Sequence, residues 1–403
     1  MKTTTTNNNN NSTNANANAS NDASNTQKKL GNTDKKESVD NNNTDINNKK
    51  QKQQPTKAVA LLSGGLDSNL SIRMMQEQGV QVEAIAVKTP FCDFDCGKGC
   101  GHRVQEVALE LGIKLKTVYF GEDYLKMLKN PKYGYGSGMN PCIDCRSMMY
   151  SAAKEHMEKI GADFIITGEV LGQRPMSQNG NALKIIENET ETNGKIVRPL
   201  SLRHLPITEA EKKGLIKREK LGDIKGRSRR SQLQLAKKFD ISDPPNAAGG
   251  CLLTDPAFSI RIRDLYGHTK EGIPDLNDIE LLKIGRHFRL SDNTKLIVGR
   301  NKMENEILES LTLDDDIIIE VSNYVGPTCL LRSKRQISSS SPPSPSSLQS
   351  AKEIEIAAST ALRYSDSPKD KVSNVKIKNV SSNDEKEIQV FPIDNKVLDK
   401  LRI

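Results

Sequence analysis

The chain has 403 residues, of which 35% are hydrophobic and only 4% aromatic, and its formal net charge is +8. This content of core-forming residues excludes one compact fold over the whole length and predicts disordered segments. Since no run approaches the roughly 18 apolar residues of a membrane span, we expect no membrane segment, and the excess of Lys and Arg favours a polyanionic partner.

The first 55 residues are dominated by Asn, Thr, Ser and Lys. Such a composition buries too little apolar surface to offset the entropy of ordering, so it predicts a disordered tail. The tail lacks the apolar region of a secretory signal, and it lacks the Arg residues and amphipathic pattern of a mitochondrial one. We therefore expect a cytoplasmic protein, with the mitochondrion as the alternative. Seven cysteines in such a chain indicate metal, cluster or catalytic thiols rather than disulfides.

From Lys57 onward, apolar strands alternate with helices. The predicted strands are KAVALL, VQVEAIAVKT, KLKTVYF and ADFIITG, and the predicted helices cover about 67–78, 103–111 and 143–160. This alternation predicts an α/β fold with a parallel sheet covered on both faces, whose ligands bind outside the carboxyl ends of the strands. We assign residues 56–256 to this domain. Residues from about 185 to 250 are predicted to leave the sheet as a basic insertion.

A glycine-rich loop joins the first predicted strand to the first helix. The Gly pair allows the backbone to approach an anion, the Ser hydroxyls and helix N–H groups can donate to phosphate, and Asp67 can hold Mg²⁺. The alternative is a turn without a ligand. The loop has no Lys, which argues against cleavage of the terminal phosphate. The predicted ATP-binding residues are Ser63, Gly64, Gly65, Leu66, Asp67 and Ser68.

Three cysteines form a second motif. Cys142 and Cys145 lie three residues apart at the start of a predicted helix, whose dipole is expected to lower the thiol pKa values. Cys251 follows the small residues AAGG, which permit a close approach to a site. Three hypotheses fit: ligands of a [4Fe-4S] cluster, a persulfide and disulfide relay between Cys145 and Cys251, or unremarkable thiols.

These two motifs carry a family resemblance. The SGGLDS loop resembles that of PP-loop enzymes, and the NPCIDC segment with the remote Cys251 resembles the tRNA-specific 2-thiouridylases of the MnmA/TrmU type. The resemblance implies an ATP-dependent enzyme that releases pyrophosphate, adenylates a pyrimidine carbonyl of tRNA and replaces the oxygen with sulfur. It also implies that Gly168 contacts the nucleotide and that Asn140 and Pro141 contact the target base.

Two positions depart from that family. Cys142 stands where the best-known thiouridylases carry Asp, and a CxxC pair with one remote Cys instead resembles the tRNA thiolases that bind a [4Fe-4S] cluster. Glu169 stands where the thiouridylases have His. It is either an adenosine contact or a solvated acid at a strand end.

A second set of cysteines is a weaker indication of a binding site. Cys92, Cys96 and Cys100 are spaced in a way that zinc can use, and a loop with incidental thiols is the alternative. We expect Cys329 to be a packing residue.

Several basic residues are candidates for RNA binding. Arg227, Arg229 and Arg230 precede a predicted helix, where they can neutralise phosphates or form a solvated face. Tyr133 and Tyr135 can stack on a flipped base or anchor their loop.

Residues 257–403 are predicted to form a small α+β domain with a Ser/Pro-rich insertion near 338–347. It resembles the small RNA-binding domain found beside PP-loop domains and in ribosome-associated quality-control factors. The resemblance implies phosphate contacts by Arg286, His287, Arg289 and Arg300.

The sequence therefore predicts a tRNA sulfurtransferase that uses ATP and Mg²⁺, with a [4Fe-4S] cluster or zinc as candidate cofactors and tRNA and a sulfur donor as partners. Two alternatives remain at this point. One is an amide-forming synthetase, which shares the loop but has no use for three thiols, and the other is a non-catalytic RNA-binding adaptor.

Overall fold

The computed structural model describes residues 55–92, 100–241, 251–269, 271–333 and 351–403, and for 100–102 it describes the backbone alone. The predicted tail, the Ser/Pro-rich insertion, Cys96 and the AAGG segment before Cys251 lie outside these residues. Within the described ranges no helix is long and apolar enough to cross a membrane.

The first sheet has five parallel strands in the order β3-β2-β1-β4-β5. The chain runs outward from β1 to β3 and then returns to β4 on the other side of β1. The carboxyl end of β1 is therefore a switch point, the usual ligand site of such sheets. The predicted α/β fold with a parallel sheet is confirmed. The strands are β1 Lys57–Leu61, β2 Gln81–Lys88, β3 Lys114–Tyr119, β4 Phe164–Ile166 and β5 Ile196–Val197.

Helices cover both faces of this sheet. Ala58 and Ala60 of β1 belong to the core cluster that includes the buried residues of α1, whereas Val59 packs in a second cluster with Tyr150 and Ala153 of α4. This alternation follows from the two-residue period of a strand. The helices are α1 Leu66–Gln76, α2 Cys100–Glu110, α3 Glu122–Lys129, α4 Cys142–Ile160, α5 Gly180–Glu189, α6 Glu209–Lys212 and α7 Arg230–Lys238.

The predicted departure of residues 185–250 from the sheet is wrong in one respect. The two residues of β5 extend the sheet, because Ile165 N donates to Lys195 O at 2.9 Å and Thr167 N donates to Val197 O at 3.0 Å. Two apolar residues between charged neighbours are too short a pattern to predict a strand, so the long-range pairing with β4 decides it.

The second sheet is antiparallel, with the order β11-β10-β8-β9-β7-β6. One face packs on α11 through Ala357, Ala361 and Leu362, and on the other face Ile297 and Leu330 pack with Leu308 of α10. The elements are α8 Pro256–Gly267, α9 Leu276–Leu281, β6 Arg286–Arg289, β7 Thr294–Val298, α10 Lys302–Ser310, β8 Ile317–Val321, β9 Cys329–Ser333, α11 Ala351–Arg363, β10 Ser373–Asn379, β11 Glu385–Val390 and α12 Asn395–Leu401.

The residues expected to contact RNA phosphate in this part of the chain have internal partners. His287 is only 1% exposed, and its Nε2 lies 2.7 Å from Ile284 O, so the expectation is wrong for this residue. Arg289 is paired with Asp264 of α8 at 2.5 Å, and Arg300 donates to Gly285 O at 2.7 Å. Arg286 lies over the Tyr364 ring, 4.6 Å from its centroid. These contacts stabilise the sheet and its connection to α8.

Candidate active site

The glycine-rich loop lies at the carboxyl end of β1. Gly64 has φ +73°, a conformation that favours glycine, and it turns the chain into α1. Ser68 Oγ donates to Gly65 O at 2.9 Å and lies 3.3 Å from Ser63 Oγ, which keeps the turn closed. Gly65 precedes α1 in an extended conformation, and its position supplies no side-chain cap to the helix. The first N–H groups of α1 are therefore available to an anion.

Gly168 packs directly on this loop. A Cβ atom at this position would lie 2.5 Å from Ser68 N and 2.6 Å from the carbonyl carbon of Asp67, distances that van der Waals repulsion forbids. The strand end after β4 and the nucleotide loop are thus in backbone contact, which only a glycine permits.

Asp67 has one carboxylate oxygen without a partner. Gln173 Nε2 donates to Oδ2 at 3.0 Å, whereas Oδ1 is buried and accepts no hydrogen bond from the described residues. Burial raises the pKa of Asp67, and the Gln173 hydrogen bond and the charges of Arg229 and Arg174 oppose this rise. A free carboxylate oxygen beside a phosphate-binding loop fits Mg²⁺, which prefers oxygen ligands.

The nucleotide loop and the three predicted thiols line one cavity of about 580 Å³. Residues far apart in the chain meet there because the loops that carry them follow the carboxyl ends of β1 and β4 or cross over that edge of the sheet. The lining includes Ser63, Gly65, Leu66, Asp67, Ser68, Asn140, Cys142, Cys145, Arg146, Gly168, Glu169, Gln173, Arg174, Arg227, Arg229 and Cys251.

The three thiols of the cavity are partly buried. Burial raises the pKa of Cys145 to about 11 and that of Cys251 to about 12, and it also raises the pKa of Cys142. The expected lowering by the start of α4 is therefore wrong, because the loss of hydration outweighs the helix dipole and the nearby charge of Arg146. A hydrogen bond with the Tyr124 hydroxyl also acts to lower the pKa of Cys145 without reversing the shift.

This donor set fits an iron–sulfur cluster. Three partly buried thiols that face one cavity favour their neutral form by themselves, and a cationic metal centre would reverse that preference. Among the described residues no three Cys, His, Asp or Glu side chains converge closely enough to hold one metal ion. A cluster binds its thiolates at separate iron atoms, so it does not require three thiols around one ion.

A backbone contact holds the Cys251 segment against the loop before α4. Met139 N donates to Leu253 O at 2.9 Å, and Arg263 of α8 donates to Gly138 O at 2.9 Å. Gly138 has φ +66°, and a Cβ atom there would lie 2.4 Å from Leu253 O. Two segments more than a hundred residues apart in sequence thus bring Cys251 to Cys145.

Glu169 is a buried residue of the cavity wall, and its contact with adenosine stays a prediction. It is 3% exposed, receives hydrogen bonds from Arg146 at 2.5 Å and Arg198 at 2.9 Å, and also accepts from the Tyr150 hydroxyl. Although burial acts to raise its pKa, the two guanidinium groups hold the pKa below its usual range. A solvated acid is therefore wrong, and the carboxylate joins the start of α4 to the end of β4.

The structure also adds residues that the sequence did not single out. Arg146, Gln173 and Arg174 line the cavity. Arg146 directly follows Cys145 at the start of a helix, and this position could have identified it as a site residue. Nothing in the local sequence of Gln173 and Arg174 indicates contact with the nucleotide loop.

The remaining candidates for base and phosphate contacts are Asn140, Pro141 and three arginines on the one hand, and two tyrosines on the other. Asn140, Arg227 and Arg229 line the cavity, Pro141 precedes α4 and Arg230 is the first residue of α7. Tyr133 donates to Glu189 at 2.6 Å and Tyr135 donates to Leu128 O at 2.6 Å. These bonds favour loop anchoring over base stacking for the two tyrosines.

Zinc binding by the second cysteine set stays a prediction. Cys92 lies just after β2, where Thr89 N donates to its sulfur at 3.3 Å. Cys96 and the Cys100 side chain fall outside the description. Cys329 is fully buried in the second sheet, as expected for a packing residue.

Two family models match this chain. Residues 54–209 match the model described as thiamine biosynthesis protein (ThiI), and residues 285–402 match that of the NFACT protein RNA binding domain.

The tRNA-specific 2-thiouridylase MnmA of Pseudomonas entomophila is 27% identical over 256 residues, which cover 59% of this chain and 62% of the relative. The MnmA of Vesicomyosocius okutanii is 35% identical over 124 residues, which cover 28% of this chain and 33% of the relative. The chain thus spans less than two thirds of the length of these relatives. The resemblance to PP-loop enzymes and thiouridylases that the sequence predicts is confirmed.

Two solved structures also align. A 4-thiouridine synthetase in complex with RNA and ATP is 22% identical, with a TM-score of 0.29 and coverage of 46% of this chain and 52% of that one. The U34-tRNA thiolase NcsA of Methanococcus maripaludis with its [4Fe-4S] cluster is 18% identical, with a TM-score of 0.30 and coverage of 57% and 71%.

Proposed function

We propose that the protein is an ATP-dependent tRNA sulfurtransferase that adenylates a pyrimidine carbonyl and replaces its oxygen with sulfur. The observation that carries this proposal is the single cavity that the phosphate-binding loop shares with Cys142, Cys145 and Cys251. An amide-forming synthetase has no use for three thiols beside its nucleotide. The similarity to the MnmA thiouridylases supports the same substrate class.

In the activation step, the carbonyl oxygen of the base attacks the α-phosphorus of ATP, the bond to the bridging oxygen breaks, and pyrophosphate leaves. The ring nitrogen loses its proton in this step. Ser63, Ser68 and the first N–H groups of α1 would hold the phosphates, and the carboxylate oxygen Oδ1 of Asp67 would hold Mg²⁺, which would neutralise phosphate charge. Esterification turns a poor leaving group into AMP.

In the transfer step, a hydrosulfide sulfur bonds to the ring carbon, the bond between that carbon and the AMP oxygen breaks, and the sulfur proton returns to the ring nitrogen. No electrons are exchanged, so the donor supplies sulfur at the oxidation level of sulfide. Cys142, Cys145 and Cys251 would hold a [4Fe-4S] cluster, which supplies an iron atom that binds sulfide. Asn140 lines the cavity beside these thiols and contacts the target base.

The test uses the full-length protein, purified without oxygen, with tRNA, ATP, Mg²⁺ and sulfide. We expect AMP, pyrophosphate and a thionucleoside detected by mass spectrometry of the digested tRNA. Cys145→Ser and Cys251→Ser should lose the thionucleoside, and Cys329→Ala, which removes a thiol far from the cavity, should keep it. Absence of AMP in the wild type would leave the RNA-binding adaptor as the better account, and AMP formation without any thionucleoside would favour the synthetase.

Iron content separates the two sulfur mechanisms. We expect about four iron atoms per chain in the anaerobic wild type, which is the content of one [4Fe-4S] cluster, and a loss of iron in Cys142→Ser. Iron-free protein that forms thionucleoside with a persulfide donor in place of sulfide, and that requires both Cys145 and Cys251, would replace the cluster by the persulfide relay, which leaves a disulfide between these two residues.

A further inference from the structure

We propose that Arg174 binds the α-phosphate of ATP and of the adenylated intermediate, and so acts directly in the activation step. This inference rests on the proposed function and assigns a catalytic residue to it. It comes from a segment between β4 and α5 that no sequence motif pointed to.

The segment after β4 is held in place at both ends. Gly172 N donates to Gln178 O at 2.7 Å, and Gln178 N donates to Arg174 O at 2.9 Å, which closes a compact loop around Arg174. Leu171 forms a bridge with Lys225, and Gly226 N donates to Leu171 O at 2.7 Å. The backbone that carries Arg174 is therefore defined by hydrogen bonds rather than free to move.

The loop is also attached to the nucleotide loop. Gln173, the residue before Arg174, donates to Asp67 Oδ2 at 3.0 Å. Arg174 itself lines the cavity that also contains Asp67 and the three thiols. Its positive charge opposes the rise in pKa that burial causes at Asp67 and at Cys142, so it acts on both halves of the site.

The guanidinium is available for a ligand. Arg174 is exposed, and within the described residues its side chain forms no ion pair or hydrogen bond. Arg146 of the same cavity, by contrast, is paired with Glu169 at 2.5 Å. A phosphate anion that bridges the nucleotide loop and the thiols is the ligand that this position and the planar fork of an arginine fit.

The expected kinetic effect follows from where charge develops. Negative charge on the α-phosphate oxygens increases when the carbonyl oxygen attacks, so the contact is stronger in the transition state than in the ground state. Arg174→Gln should therefore lower the rate constant for pyrophosphate formation by about 100-fold, while the affinity for ATP falls only several-fold. Arg174→Lys should recover part of the rate, because it keeps the charge but loses the fork.

The experiment measures pyrophosphate formation with tRNA and without a sulfur donor, so that sulfur chemistry does not enter and the adenylate stays on the base. Lys184→Gln on α5 is the control, because it removes one exposed positive charge outside the cavity. Thermal unfolding checks that each variant folds. Equilibrium binding of ATP and of tRNA is measured separately for each.

Three results would overturn the inference. An unchanged rate in Arg174→Gln would remove the residue from the reaction. A fall in tRNA affinity with unchanged ATP binding and unchanged turnover at saturating tRNA would assign the guanidinium to an RNA phosphate. If Arg174→Lys recovered the full rate, and if Arg174→Gln changed only KM, the residue would act by general charge attraction. An inactive wild type, by contrast, would contradict the proposed function itself.

Discussion

At the scale of single residues, Gly168 shows how little space separates the end of β4 from the nucleotide loop. We expect Gly168→Ala to lower the unfolding free energy by about 3 kcal/mol, because the new methyl group would meet backbone atoms of Asp67 and Ser68 that cannot rotate away. ATP affinity should fall with it. Urea unfolding and equilibrium ATP binding measure the two effects.

The control for this variant is Gly180→Ala at the start of α5, where no atom lies within 4 Å of the new Cβ. It should leave both quantities unchanged or raise stability slightly. Equal stability of the two alanine variants would contradict the assigned close contact.

Glu169 provides a second test at this scale. Glu169→Gln keeps the shape of the side chain and removes the charge that compensates Arg146 and Arg198, so we expect a loss of about 3 kcal/mol in unfolding free energy. The pKa of Glu169 is held below its unfolded value of 4.5, so this contribution is complete above pH 4.5. It should shrink as the pH falls through the lowered folded-state pKa.

Urea unfolding of the wild type and Glu169→Gln at several pH values measures this difference. Glu191→Gln, which removes an exposed ion pair with Lys154, should unfold like the wild type. A difference that stays constant down to pH 3 would show that the charge of Glu169 is not the cause.

At the scale of elements, the site depends on the contact between the loop before α4 and the segment that carries Cys251. Gly138→Ala should separate them, because its Cβ would meet Leu253 O and the Ser259 hydroxyl, and a residue with φ +66° is strained as well. We expect thionucleoside formation to fall at least about 10-fold, which an effect of about 1.4 kcal/mol on the barrier produces.

The matched control is Gly134→Ala in the same loop. Gly134 has φ +71° but open space around its Cβ position, so this variant introduces the backbone strain without the collision. Thionucleoside formation per hour, measured for both variants, isolates the effect of the contact. Similar losses in the two variants would assign the effect to strain and not to the position of Cys251.

At the scale of the whole molecule, Lys295 lies where the second sheet meets α8. Burial lowers its pKa to about 7, although Asp264 lies 3.8 Å away, and the positive charges of Arg289 and Arg261 act in the same direction as burial. The unfolded chain then binds more protons than the folded one between about pH 7 and 10.5, so unfolding free energy should rise with pH over that interval.

Lys295→Met should remove this rise and add about 2 kcal/mol of stability at pH 7, because Asp264 keeps its partner Arg289. Thermal or urea unfolding at pH 7, 8 and 9 measures it. Lys302→Met, at an exposed position of α10, should keep the pH dependence of the wild type. A parallel pH profile for Lys295→Met and the wild type would contradict a neutral lysine in the folded state.

The parts that were predictable from the sequence are those whose signals are local. A buried strand, the SGGLDS turn and a helix are adjacent in the chain, so their order and the phosphate-binding chemistry could be deduced from about twenty residues. The parallel sheet followed from the repeated alternation of strands and helices. The pairing of β5 has no such signal, since its two residues are too few.

The amino-acid sequence by itself thus determined the class of fold, the nucleotide loop and the candidate cysteines Cys142, Cys145 and Cys251. Only the tertiary structure decided that Cys251 and Cys145 share a cavity, that Glu169 is an internal counter-charge, and that Arg174 lines the same cavity as the nucleotide loop. The physical reason is that hydration, close backbone contact and charge pairing depend on neighbours far away in the chain. The same reason explains why the pKa values of the thiols are raised. The start of a helix favours a lowered thiol pKa, but burial by distant segments of the chain raises it.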